Sequence, residues 1–210
     1  MARHFSEAER AAIEKALLAA AKELFIRYGV NKTTISDITE MAGVGKGTFY
    51  HFFKSKGDIF MKLYEQEWRQ IHDSLDEEHR NRKGALPDLM LDYIYENRTL
   101  ILEHPLLSIT YSRHTLSLIS EEPVIARLVS FRDLAATRLQ GIIVSWIESN
   151  GLEVTLDPAV ISGMMRSLTY LNYHKDEIGE DIFEDVIRQL AEGITLAASH
   201  KPRLAETDAG

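Results

Sequence analysis

Within Thr33–Lys56, Lys46, Thr48, Tyr50 and His51 are donors set among Gly43, Gly45 and Gly47, and no carboxylate occurs between Met41 and Gly57. Side chains that donate, on a backbone thinned by glycine, suit an approach to phosphate oxygens and base edges. Other chemistries fit less well. Gly43-Val44-Gly45-Lys46-Gly47-Thr48 is no nucleotide loop, because Gly47 stands where Ser or Thr must follow Gly-Lys, and Glu40 stands where the first glycine belongs. Eight histidines raise a metal site, but none are spaced as H-x-x-x-H and there is no cysteine, so no metal ligand is assigned. There is no G-x-S-x-G elbow and no supported Ser-His-Asp order, so no catalytic residue is assigned and no enzyme is expected.

Short helices must carry these donors. Thr34, with Asp37 three residues on, predicts an N-cap, and Ile35, Ile38, Met41 and Ala42 follow at helical spacing. Gly43 ends that helix, Val44 plugs a three-residue turn, and a second helix is predicted from Lys46 to Phe53. Phe49, Phe52 and Phe53 hold it against its neighbours, and Ser55 with Asp58 caps the next. A short helix, a glycine turn and another short helix is the outline of a helix-turn-helix.

From Thr33 to Lys56 the chain resembles the TetR family of bacterial transcriptional regulators, almost letter for letter along TTISDITEMAGVGKGTFYHFFKSK. Gly45 departs from the family's usual Ser, which removes one side-chain phosphate contact, and Gly57 replaces the first of two acids. The resemblance implies an all-α fold of about nine helices and a homodimer joined through its last two helices into a four-helix bundle. It also implies a ligand cavity in the C-terminal domain. For this chain the implied DNA contacts are Thr33, Thr34, Gly45, Lys46, Gly47, Thr48, Tyr50, His51 and Lys56, on a palindromic operator in double-stranded DNA. The expected domains are a helix-turn-helix domain over 1–54, an effector-binding and dimerisation domain over 55–200, and a disordered tail over 201–210.

Charge supports that division. The chain carries −8 overall, but residues 1–60 sum to +2 and 61–210 to −10. The acidity lies in the larger part, so DNA binding rests on where Lys32, Lys46, Lys54 and Lys56 sit. With 45% hydrophobic residues a core is within reach. The absence of cysteine rules out disulfides and fits a cytoplasmic protein. No uncharged run is long enough to cross a membrane.

The remainder reads as helices throughout. Ser6 and Glu9 form a capping box ahead of a stripe of Ile13, Leu17, Ala20, Leu24 and Tyr28. Arg3 and His4 before it are either an arm towards a minor groove or a frayed end. A rod from Ser55 towards Arg82 buries Phe60, Tyr64, Trp68, Ile71 and Leu75. Further helices are expected over Leu86–Glu103, from Pro105 to about Ile119, from Ser120 to Asn150, from Pro158 to about His174, and from Glu180 to Ser199. The last two have apolar residues on more than one face, which requires cover on two sides, most simply from a second copy. Met90, Tyr93, Ile94, Tyr111, His114, Leu118, Phe131, Trp146, Met164, Met165 and Tyr170 mix apolar bodies with few polar tips. They fit an ordinary core, or the lining for a small, mainly apolar effector. No cofactor is expected. Two alternatives stay open: an effector-independent regulator acting with a protein partner, and a helical enzyme or carrier with a vestigial N-terminal domain.

Overall fold

The computed structural model describes residues 5–108, 122–171 and 174–199. Among them are ten helices and no strand: α1 (Glu7–Tyr28), α2 (Ile35–Met41), α3 (Lys46–Phe49), α4 (Lys56–His79), α5 (Leu86–Glu103), α6 (Pro105–Ser108), α7 (Glu122–Asn150), α8 (Pro158–Leu171), α9 (Lys175–Ile178) and α10 (Phe183–Ser199). The fold is all-α, as the periodicity required. Most of the expected helix past Pro105, the arm residues Arg3 and His4, and the tail 201–210 lie outside the described residues.

Two features differ from expectation. A short helix, α9, occupies ground expected to end one helix and lead into the next. Gly179 closes it at φ 112°, donating its N–H to the Lys175 carbonyl, and the Ile182 N–H then bonds to Gly179 before α10 begins. A side chain at Gly179 would be strained at that φ. In α1 the capping box forms as expected, with the Glu9 N–H on Ser6 Oγ at 3.3 Å and the Ser6 N–H on Glu9 Oε2 at 2.8 Å. Its buried stripe is shifted, however. Tyr28 is half exposed beneath the Arg27 guanidinium, while Phe25 is fully buried edge-on to Phe60 at 5.9 Å. Tyr28 is the last helical residue, and the chain turns away at Gly29 before anything covers it.

By internal packing the chain divides into two compact units, residues 1–70 with 103–130 and residues 71–102 with 131–210; the division falls within α4 and within α7. In the first unit Leu17, Phe25, Ile38, Phe49, Ile59, Phe60 and Met61 are fully enclosed. Glu67 is buried there too, its carboxylate 2.7 Å from Lys22 Nζ and 3.8 Å from His104 Nδ1. A buried carboxylate persists only with such company.

In the second unit the last carbonyls of α4 and the turn after it are met by side chains of α7. Trp146 Nε1 donates to His79 O at 2.7 Å, Ser145 Oγ to Arg80 O at 2.6 Å, and Asn150 Nδ2 to Arg82 O at 3.3 Å. A helix end leaves carbonyls without intrahelical partners, so these bonds fix where α4 stops. His79 Nε2 lies 2.7 Å from Glu96 Oε2, and its ring meets Tyr93 at 5.1 Å and Trp146 at 6.2 Å. The Arg98 guanidinium forks onto Glu184, with both contacts at 2.6 Å, and stacks over Phe183, joining α5 to α10. Those bonds from Arg98 are the main reason the Glu184 carboxyl titrates below its ordinary range.

His72 on α4 gives the fold an acid limit. Burial lowers its pKa from 6.5 to about 4; Arg138 adds to the shift and Asp73 opposes it. The unfolded chain takes up this proton below 6.5, while the folded chain refuses it until far lower pH. Stability is therefore complete above that range and falls as pH drops towards the folded value. We expect His72 to account for a loss of up to about 3 kcal/mol across that interval. Urea unfolding at stepped pH should show it, and His72→Gln should flatten that part of the profile.

Candidate nucleic-acid interface

The donors singled out above sit on and around α3, and neighbouring caps place them. Thr34 caps α2: its N–H donates to Asp37 Oδ2 at 2.8 Å, and its hydroxyl accepts the Asp37 N–H at 3.2 Å. The Thr34 N–H, and the Thr34 hydroxyl donating to the same oxygen at 2.8 Å, hold the Asp37 carboxyl below its ordinary value. Asp37 therefore occupies the start of α2 as a carboxylate, and a phosphate must approach beside it.

The turn after α2 is a Schellman arrangement. Gly43 takes φ 66° and bonds to Glu40 O, while the Val44 N–H reaches back to Thr39 O at 2.9 Å. Glycine meets the positive φ at no steric cost. Gly45 then leads α3 from an extended conformation without a side-chain cap.

The recognition segment is shorter as an α-helix than the sequence suggested. Regular α geometry ends at Phe49, not Phe53, and the next turn is held by i→i+3 bonds from His51 to Thr48 and from Phe52 to Phe49. With two glycines and few residues, the end tightens rather than propagates. Phe49 and Phe53 are buried with rings 5.7 Å apart, and Tyr50 stands edge-on to Phe49 at 5.5 Å. The inner face is thereby fixed, and Tyr50 is left 54% exposed.

Of the expected contacts, Thr34, Gly45, Lys46, Gly47, Tyr50 and His51 are exposed, and Thr48 is half-buried. Two sit differently. Thr33 is only 2% exposed, and its hydroxyl donates to Gly29 O at 2.9 Å and Leu24 O at 3.3 Å. Its side chain braces the turn between α1 and α2 rather than facing outward. Lys56 is half-buried, its ammonium donating to Thr33 O at 2.9 Å and Asn31 O at 3.3 Å. It secures the start of α4 against the loop before α2. Ser55 Oγ accepts the Asp58 N–H, and Asp58 accepts the Lys54 N–H, so the expected cap on α4 is present. Phe52 carries something sequence reasoning missed: it is half-buried, with Phe5 on one side and the Arg10 guanidinium over its ring. The signal was faint, one arginine early in an Ala-rich helix.

The expected effector lining does not share one environment. Met90, Tyr93, Trp146 and Met165 are core residues, and Tyr93 and Trp146 pack edge-to-face at 6.2 Å. Burial drives the Tyr93 hydroxyl's pKa upward, so it stays protonated. Phe131 and Met164 are half-buried, Tyr170 is exposed at the surface, and Tyr111 and His114 lie outside the described residues. A surface groove of about 480 Å3 runs between Pro87 and the α10 residues Gln189, Glu192, Gly193, Thr195 and Leu196, and none of the expected lining borders it. His72 and His79 are both buried. Among the described residues no cluster of His, Asp and Glu is placed to hold a metal ion, and no helix is long and apolar enough to cross a membrane.

Residues 17–63 match the family model described as bacterial regulatory proteins, tetR family. The chain is 34% identical over 64 residues to an uncharacterized HTH-type transcriptional regulator, YhgD, of Bacillus subtilis, covering 30% of this chain and 34% of that one. It is 28% identical over 92 residues to the HTH-type transcriptional repressor NemR of Escherichia coli, covering 44% and 46%. The chain thus spans less than half the length of these two curated relatives. In overall fold it is similar to the crystal structure of the regulator FadR from Bacillus subtilis in complex with stearoyl-CoA, with a TM-score of 0.66 at 20% identity, covering 87% of this chain and 98% of that one.

Proposed function

We propose that this chain, whose residues 17–63 match the model of the tetR family of bacterial regulatory proteins, is a homodimeric DNA-binding transcriptional regulator, a repressor working in the cytoplasm. The observation that carries this is the outward face of the recognition segment: Lys46, Tyr50 and His51 exposed on a buried aromatic base, with no carboxylate from Met41 to Gly57. Each α3 enters a major groove. Lys46, Thr48, Tyr50 and His51 reach phosphates and base edges, the glycines let the backbone close in, and Thr34 and the start of α4 steady the phosphate backbone. Residues 1–54 act as the DNA-binding domain and 55–200 as the body that joins two copies.

The dimer surface is the second face of α8 and α10, which pack together. Val160 is 49% exposed, and Ile182, Leu190 and Leu196 are 49%, 43% and 60% exposed, beside Gly163, Ser167 and Gly193. Apolar residues lined by small ones suit close helix packing by a second copy. The two-fold axis then demands a palindromic operator. A small, mainly apolar effector is the releasing signal: it favours a conformation in which α4, shared by both units, no longer holds the two α3 segments at operator spacing. The FadR structure, bound to stearoyl-CoA, is consistent with this. The interlocked His79, Tyr93 and Trp146 favour the alternative at that spot, a regulator without a small effector, because these rings already fill the space.

Selection of duplexes from a random library by the native chain tests the reading. It should return an inverted repeat bound by one or two dimers. Failure to enrich any duplex at low salt would favour the enzyme or carrier alternative.

A further inference from the structure

We propose that Arg10, carried on the ring of Phe52, is a DNA-phosphate contact outside the helix-turn-helix. This rests on the DNA-binding reading above and adds to it a site on α1. The Arg10 Cζ lies 5.1 Å from the centroid of Phe52, and Phe5 packs on the same ring at 6.5 Å. Phe52 directly follows the exposed pair Tyr50 and His51, so the stack delivers a guanidinium to the edge of the recognition segment.

The guanidinium is exposed and, among the described residues, makes no ion pair. Other arginines are committed: Arg69 to Glu65, Arg80 to Asp76, Arg98 to Glu184 and Arg138 to Asp73. The acids around Arg10 leave it available. Glu9 folds back onto the Ser6 N–H and hydroxyl, at 2.8 and 2.9 Å, and Glu7 and Glu14, a turn away on either side, form no ion pair with it. Lys56 is occupied with carbonyls of the loop before α2, so a cation supplied from α1 fills a need.

Stacking suits arginine for this task. A guanidinium held over the ring at 5.1 Å loses rotamer freedom, and its planar fork of N–H groups suits a phosphate in bidentate fashion. Lysine in its place keeps the charge and loses both the plane and the fork.

Arg27 supplies a matched control. It too is an exposed arginine over an aromatic ring, but that ring is its neighbour Tyr28, at the other end of α1. At 1.5 Å per residue it lies about 25 Å along the helix from Arg10.

The test uses a duplex enriched from a random library by the native chain, with affinity measured by fluorescence anisotropy across a KCl series. Arg10→Ala should weaken binding on the order of tenfold to a hundredfold near 0.1 M salt. It should also lower the slope of log affinity against log salt by about 0.9 for each Arg10 engaged, so by nearly 2 in a two-fold complex. Arg10→Lys should keep the slope and lose affinity severalfold. Phe52→Leu, which preserves packing bulk, should shrink the effect of removing Arg10. Arg27→Ala should leave the slope alone, and melting curves of all variants report that they fold. An Arg10→Ala protein that binds with native slope and affinity overturns the assignment, as does an equal change from Arg27→Ala. If the native chain enriches no duplex, the DNA-binding reading fails first and this one with it.

Discussion

Replacing Lys46 and Tyr50 together by alanine should lower affinity for the selected duplex by on the order of a thousandfold, while the protein stays dimeric and melts at its native temperature. Both side chains are exposed, and neither is needed to hold α3, which is seated by Phe49 and Phe53. Removing them leaves no cavity and no buried polar group, so stability has little reason to change. Binding has every reason to change. Lost base and phosphate contacts cost about 1–3 kcal/mol each, and a two-fold complex loses every contact twice. The two losses should also differ in kind. Lys46→Ala alone should weaken all sequences alike and reduce the salt slope by about 1 per subunit. Tyr50→Ala should reduce the preference for the selected sequence over random DNA. Gel retention paired with size-exclusion chromatography reads both quantities, and full retention by a folded double variant would remove α3 from the groove.

Trp146→Ala should be the most destabilising single change, at about 4 kcal/mol. The side chain is completely buried between His79 and Tyr93, with ring centroids at 6.2 Å to each. Its Nε1 donates to the His79 carbonyl at the end of α4. Alanine opens a cavity the size of an indole and strands that carbonyl, and each adds to the cost. A chain of this length should lose roughly 10 °C in melting temperature. Trp146→Phe separates the two parts: it fills most of the space and leaves only the unmade bond, for about 1–2 kcal/mol. Calorimetry on the three proteins gives the ordering native, Phe, Ala. Equal melting of the alanine variant would mean that α4 is not anchored through this ring.

What could be read in the sequence followed local rules. The capping box at Ser6, the N-cap at Thr34, the stop at Gly43, the cap of α4 and its buried edge from Phe60 to Leu75 all depend on residues within a few positions of each other, and each is present. What escaped depended on distant partners. Thr33 donates its hydroxyl to the Leu24 and Gly29 carbonyls, and Lys56 its ammonium to those of Asn31 and Thr33, bonds that no local spacing announces. Periodicity placed Tyr28 in the α1 stripe because it cannot foresee that the chain turns away at the next residue. Burial of His72 and His79 arises from helices packed across α4, and no spacing along α4 encodes it. The effector lining was the least legible part. Large apolar residues with polar tips describe a filled core and a pocket equally well, and Tyr93 with Trp146 belongs to the core.

Hydroxyl-radical footprinting of the selected duplex should show two protected half-sites related by a two-fold axis, their centres one helical turn apart, about 34–36 Å, or a multiple of it. Protection of a single half-site, or of two in head-to-tail orientation, would contradict the two-fold complex.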